Sequence, residues 1–373
     1  MARDTLLLDF HAGELGADVG EFAGWRVPMV YSSTIQEHLA VRRDVGIFDI
    51  SHMGRLAIRG PGSLELLERV YTKKLGKTRV GWMSGPTLAL NVYARVKDDE
   101  MFYRLGEDEW LVVPNAAVTE EMKRYLASTA RSLGLEDSVE IVDLGGEYAL
   151  LAVQGPRSAE VMTRLNRDLE GLKPLEFMVD VDLSGARAYI VSRSGWTGED
   201  GFELWIRPGE AVKLYRMLLE MGVKPVGIAA RDTLRIEAGF VLGGHEYGED
   251  PLRYPCAVSL RYGLGAIDWG KTGFVGEEAL RACRREGVRW IRVGLVMKKK
   301  HARFIPRQGY RILVDGVEVG WVTSGTFSPV LKRGVGQGYI DTRYAVEDEP
   351  VEIVSPQGRS GVAKITGFPL IKR

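Results

Sequence analysis

From residue 290 onward the chain is written in short runs, WIRVGLVM, GYRILV, VEVGWVTSG, VGQGYID, EPVEIVS and SGVAKITG, with turn residues at nearly every break. Runs of this length and composition bury a core by pairing strand with strand, so the stretch is expected to form a separate all-β domain. The segment GEEALRACRREG, residues 276–287, reads as its connecting helix. At 373 residues the chain exceeds the size at which one core keeps growing, so two or three domains are expected.

Upstream the pattern mixes helices with hairpin-linked strands. Apolar spacing and plausible caps predict helices over 33–43, 61–71, 117–133, 156–165, 211–221 and 228–238. Between residues 86 and 114 the runs TLALNVYARV, EMFYRL and EWLVV, separated by KDD and GEDE, read as an antiparallel meander. Fifty basic residues balance fifty acidic ones, which argues against a nucleic-acid or membrane-surface protein driven by net charge. The amino terminus offers only the run Leu6–Leu8 where a signal peptide needs a longer apolar region, and no stretch reaches membrane-spanning length, so a cytoplasmic protein is expected. Cys256 and Cys283 are too few for a disulfide framework and, with five scattered histidines, show no metal-ligand spacing.

Several segments carry residues suited to chemistry. GWTGEDGFE, residues 195–203, combines Gly198 and Gly201, both able to take positive φ, with a strand that sends Glu203 and Trp205 to one face and Phe202 and Leu204 to the other. Glu203 beside Trp196 suits a planar heterocycle, with two acceptor oxygens and a π face; a hairpin turn with a solvated glutamate is the plainer reading. GIFDISHMG, residues 46–54, brings Asp49, Ser51 and His52 close in sequence, but adjacency does not supply the convergence a triad needs, so a structural turn is favoured, with Met53 available as an apolar wall. KDDE, residues 97–100, reads as a solvated acidic turn, yet Asp99, Met101 and Tyr103 would share one face of the following strand, and a carboxylate on an apolar face is a setting for a retuned acid or base. In GIAARDTLRIEAG, Arg231 and Arg235 lie on one side of a helix, Asp232 can pair with Arg235, and Arg231 is suited to an anionic or carbonyl group. MKKKHARFIPR, residues 297–307, is read first as a solvated loop, then as a docking surface for an acidic partner, and last as a nucleic-acid site.

Taken together, FAGWRVPMVY, GIFDISHMG, LGEDEWLVVPNAA, LLAVQGPRSAEV, SRSGWTGEDGFEL, GIAARDTLRIEAGFVLGGHE, FVGEEAL, PRQGY and VTSGTFSP resemble the glycine cleavage T-protein family from about residue 9 to the carboxyl terminus. The resemblance implies an α+β fold, a three-domain cloverleaf around a central folate site with a small C-terminal β-barrel. The implied domains are 1–54 with 140–240, 55–139 with 241–275, and 276–373. It implies an aminomethyltransferase that takes the aminomethyl carbon from the lipoyl arm of H protein, releases ammonia and gives methylene-tetrahydrofolate. Lipoylated H protein and tetrahydrofolate are the implied partners, with other glycine cleavage components possible; no metal, nucleic acid or membrane is implied. Carried over residue by residue, the family's essential aspartate falls on Asp99, and Glu203, Arg231, Tyr103, Trp196, Asn115, Met53 and Phe240 fall on the folate pocket. The chain departs from the family pattern at Ala94, Arg95, Lys97 and Glu100 around the acidic pair and near Pro86 and Thr87 on the preceding strand. A folate-dependent demethylase, or a folate-binding relative without transferase activity, is the alternative reading.

Overall fold

The computed structural model describes residues 2–261 and 264–371. The chain divides into two compact units. The first takes in the chain through Leu88, Asp98–Arg231 and Ile267–Lys271; the second comprises Ala89–Lys97, Asp232–Ala266 and the chain from Thr272 onward.

Two sheets dominate the first unit. One has six strands in the order Phe177–Leu183, Ala186–Ser192, Gly201–Ile206, Ala149–Gln154, Gly46–Asp49 and Lys224–Pro225. Its central strand reads ALLAVQ and is buried along its whole length, as a strand covered on both faces must be. Helices Ser158–Leu165 and Pro208–Glu220 add Val161, Met162, Leu214 and Leu218 to a core shared with Leu151, Val153, Phe202 and Leu204. The other sheet has five strands, Met83–Leu90, Val96–Arg104, Glu109–Val113, Leu56–Arg59 and Glu140–Asp143. Its first three strands are the expected meander.

The turn in that meander lies elsewhere than the acidic run suggested. Asn91 ends the first strand, and its side-chain oxygen accepts from the backbone N–H groups of Tyr93 and Arg95, each at 3.0 Å, while Ala94 takes a positive φ of 56°. Asparagine builds such a turn by hydrogen-bonding its own downstream backbone. The chain therefore reverses over 91–95, and KDDE falls inside the strand Val96–Arg104. The reading of those acids as a solvated turn is corrected.

In the second unit the six short runs form a closed barrel in the order Trp290–Met297, Arg333–Asp341, Val317–Ser328, Arg311–Val314, Pro350–Val354 and Ser360–Thr366. Leu295, Met297, Ile312, Val322, Ile340, Ile353 and Ala363 fill its interior. The chain is thus α+β with a C-terminal barrel, and helix Glu277–Glu286 precedes the barrel as expected. Two cysteines make no framework, but they do make one bridge: Cys256 and Cys283 form a disulfide across 27 positions. Among the described residues no helix is long and apolar enough to cross a membrane.

Candidate functional site

Asp98, Asp99 and Glu100 are respectively 0%, 5% and 1% exposed. Consecutive residues of a strand face opposite sides, so Asp99 shares a face with Tyr103, about 13 Å along the strand, while Asp98 and Glu100 share the other. Buried carboxylates need donors, and Asn115 supplies them. Its backbone N–H donates to Asp98 Oδ2 at 2.9 Å and its side-chain amide to Asp98 Oδ1 at 2.8 Å. The same amide reaches Asp99 Oδ1 and the Asp99 carbonyl, both at 3.1 Å. Lys97, which sequence placed beside the acidic pair, instead meets Glu249 at 2.7 Å.

At the other end of that face, Tyr103 is packed edge-on against Phe177 and Trp205. Its hydroxyl lies 3.2 Å from Ser192 Oγ, Ser192 Oγ lies 2.9 Å from Ser194 Oγ, and Ser194 donates to Glu203 Oε2 at 2.7 Å. Ser194 uses its one proton on Glu203 Oε2, and Ser192 Oγ also donates to the Glu203 carbonyl at 3.2 Å. Burial and, after it, the Glu203 charge keep Tyr103 protonated far above neutral pH.

The glycine-rich turn that carries Trp196 and Glu203 is built around Gln154. Strand pairing sets Gln154 opposite Gly201. The Gln154 amide donates to the Ser194 carbonyl at 2.9 Å and accepts from Thr197 Oγ1 at 2.9 Å. A Cβ on Gly195 or Gly201 would overlap that amide. Gly198 alone of the two glycines first considered takes positive φ, at 79°; Gly201 is required for close approach rather than for its torsion. Arg42 closes the outside of the turn on the Thr197 carbonyl at 2.7 Å and Glu199 at 2.9 Å.

Arg231 is half-buried with its guanidinium 6.0 Å from the Phe48 ring centroid. Its Nη1 is shielded from solvent and has no hydrogen-bond partner among the described residues. Burial pulls its pKa down, against the charge of Glu203. Burial, then the Arg231 charge, lowers His52 to about 3, so that imidazole is neutral. Asp49 and Ser51 do not join His52 in a triad: Asp49 accepts from Ser51 and from His11 Nε2 at 3.1 Å, and His11 Nδ1 lies 2.8 Å from the Tyr31 hydroxyl. The Asp49 carboxylate thus takes its histidine partner from 38 positions upstream.

The eight sequence-derived residues therefore fall into groups. Asp99 and Asn115 form one cluster; Tyr103 and Glu203 are linked by two serines, and the Glu203 charge acts on Arg231. Trp196 and Met53 are half-buried on their turns. Phe240 belongs to the second unit, where its carbonyl accepts from Gln337 at 2.9 Å. Sequence reasoning missed Gln154, Ser192, Ser194 and the pairing of Glu100 with Tyr71; the alternation of the two serines in SRS just before the turn is the one available signal.

Comparison with known proteins converges on one family. Residues 8–259 match the GCVT N-terminal domain and residues 291–372 the glycine cleavage T-protein C-terminal barrel domain. A probable aminomethyltransferase of Aeropyrum pernix is 66% identical over 370 residues, covering 99% of this chain and 98% of the relative. An aminomethyltransferase of Thermus thermophilus is 38% identical, covering 99% of each chain. The crystal structure of the glycine cleavage system aminomethyltransferase T from Bartonella henselae superimposes with a TM-score of 0.88 at 29% identity, covering 100% of this chain and 98% of that one.

Proposed function

Because the chain belongs to the glycine cleavage T-protein family of aminomethyltransferases, we propose that it transfers the aminomethyl carbon from lipoylated H protein to tetrahydrofolate, with release of ammonia. The observation that carries this reading is a polar set with capacity left over. Glu203 is held by one serine, and Arg231 Nη1 is buried with no partner among the described residues. A buried guanidinium N–H without an acceptor is costly, and a bound carbonyl or anion removes the cost. A pterin ring has both complements, N–H and amino donors for Glu203 and a carbonyl for Arg231, while Trp196 offers a stacking face. Met53 adds an apolar wall in this reading.

Asp99 is the catalytic group. Held through its Oδ1 by Asn115, it presents a fixed negative charge to the folate nitrogens as they attack the carbon and develop positive charge. It positions and supports rather than forming a covalent bond. The remaining demand is exclusion of water, which would hydrolyse the electrophilic carbon.

Reconstitution with lipoylated H protein tests the proposal through ammonia release and methylene-tetrahydrofolate formation. Asp99→Asn is expected to cost turnover at least about 100-fold while folate affinity stays within about tenfold. Unchanged turnover removes Asp99 from the chemistry. Folate binding without transfer from aminomethylated H protein replaces the reading with that of a demethylase or a non-catalytic relative.

A further inference from the structure

Three consecutive acids inside a strand form a feature that the folate reading does not use up. Glu100 Oε2 accepts from the Tyr71 hydroxyl at 2.5 Å, but its Oε1 is buried with no donor among the described residues. Tyr71 is itself fixed, because the buried Lys271 ammonium donates to the Tyr71 carbonyl at 2.7 Å while also reaching the Lys73 carbonyl and Glu68. An ionised Glu100 would thus place a carboxylate oxygen in the interior with nothing to receive, beside a second carboxylate. Asp98 is on the same strand face, within hydrogen-bonding reach of Glu100, and already holds two donors from Asn115. The ionisable groups around Glu100 are Asp98 and Asp99 on its own strand and Tyr71 at the end of helix Ser63–Val70, with Tyr125 of helix Thr119–Ser132 acting on Tyr71. Burial and the Asp98 charge both favour the neutral acid at position 100.

We propose that Glu100 is a positioning residue that stands as a neutral carboxylic acid and donates its proton to Asp98, so that one proton and one charge are shared by the pair. The arrangement satisfies every oxygen: Glu100 accepts from Tyr71 and donates to Asp98, and Asp98 accepts from Glu100 and from Asn115. Its consequence passes through the Asn115 amide, which touches Asp98 and Asp99 together. With Glu100 neutral, the amide is held on Asp98 and turned toward Asp99, and Asp99 carries its charge beside one neighbouring carboxylate rather than two. This extends the reading of Asp99 given above and rests on it.

The test is a difference infrared spectrum of full-length protein near pH 8, where ordinary carboxyls are ionised, comparing wild type with Glu100→Gln. A protonated-carboxyl carbonyl band present in wild type and lost in Glu100→Gln supports the acid pair. Absence of the band in wild type, or its persistence in Glu100→Gln, overturns it. Glu100→Ala, which removes the donor to Asp98, is expected to lower turnover about tenfold with KM for tetrahydrofolate moved less than about threefold; the reverse split overturns the positioning role. If the band behaves as expected while Asp99→Asn turns over normally, the shared proton stands and the reading of Asp99 falls.

Discussion

Replacing Glu100 by glutamine removes from this protein a pH dependence of stability that can be worked out beforehand. In the unfolded chain Glu100 loses its proton near pH 4.3. In the folded chain burial and the Asp98 charge hold its pKa well above the ordinary range. Above pH 4.3 the folded state therefore carries one proton that the unfolded state has released, and stability falls as pH rises until the folded pKa is reached. The slope is about 1.4 kcal/mol per pH unit for one proton. Glutamine has the shape and charge of the protonated acid at every pH: its amide donates to Asp98 and its oxygen accepts from Tyr71. The variant should be close to wild type in stability near pH 4 and gain on it at that slope as pH rises between pH 5 and pH 8, until the folded pKa of Glu100 is reached. Paired denaturant titrations of wild type and variant at each pH measure this difference, and groups common to both chains cancel. A difference that stays flat across that interval would show that the folded protein holds no extra proton, and the argument from burial would be refuted.

Arg231→Met should weaken tetrahydrofolate binding at least about tenfold by isothermal titration while leaving stability unchanged or slightly higher, because Nη1 makes no hydrogen bond to lose and burial already disfavours the charge. Gln154→Ala should cost about 2–4 kcal/mol in thermal unfolding, since it leaves a cavity and strips the partners from Thr197 and the Ser194 carbonyl; folate affinity should fall with it as Trp196 and Glu203 lose their support. Cys256→Ser with Cys283→Ser should lower stability by about 3.5 kcal/mol, the loop-closure value for 27 positions, measured as a shift in the denaturant midpoint of the second unit.

The elements were the most legible part of the chain. Apolar periodicity and caps placed helices such as Thr34–Arg43, Thr119–Ser132 and Ile228–Ala238, and the short runs after residue 290 became the strands of a barrel that buries their apolar residues. The acidic run was misread for a physical reason: charge in sequence suggests water, and the partner that makes burial tolerable, Asn115, is 17 positions from Asp98. The disulfide was invisible for a similar reason, because two cysteines specify a bond only once the fold brings them together. Alternation did pair Asp99 with Tyr103, and spacing did pair Asp232 with Arg235 at 2.8 Å. What sequence left out was support: Gln154, the two serines and Tyr71 act through atoms contributed by distant strands and helices.

The fit of Gln154 against Gly195 and Gly201 has an evolutionary corollary. With glutamine at 154, alanine at either glycine collides with the amide, and the three atoms nearest each Cβ position all belong to that side chain, so a short residue at 154 removes those contacts. The three positions therefore behave as one epistatic unit. A chain drifting through single substitutions can leave this arrangement only by losing the amide first, passing through an intermediate in which the turn is least well held. That ordering makes the turn resistant to gradual change, even though two of its three determinants have no side chain at all.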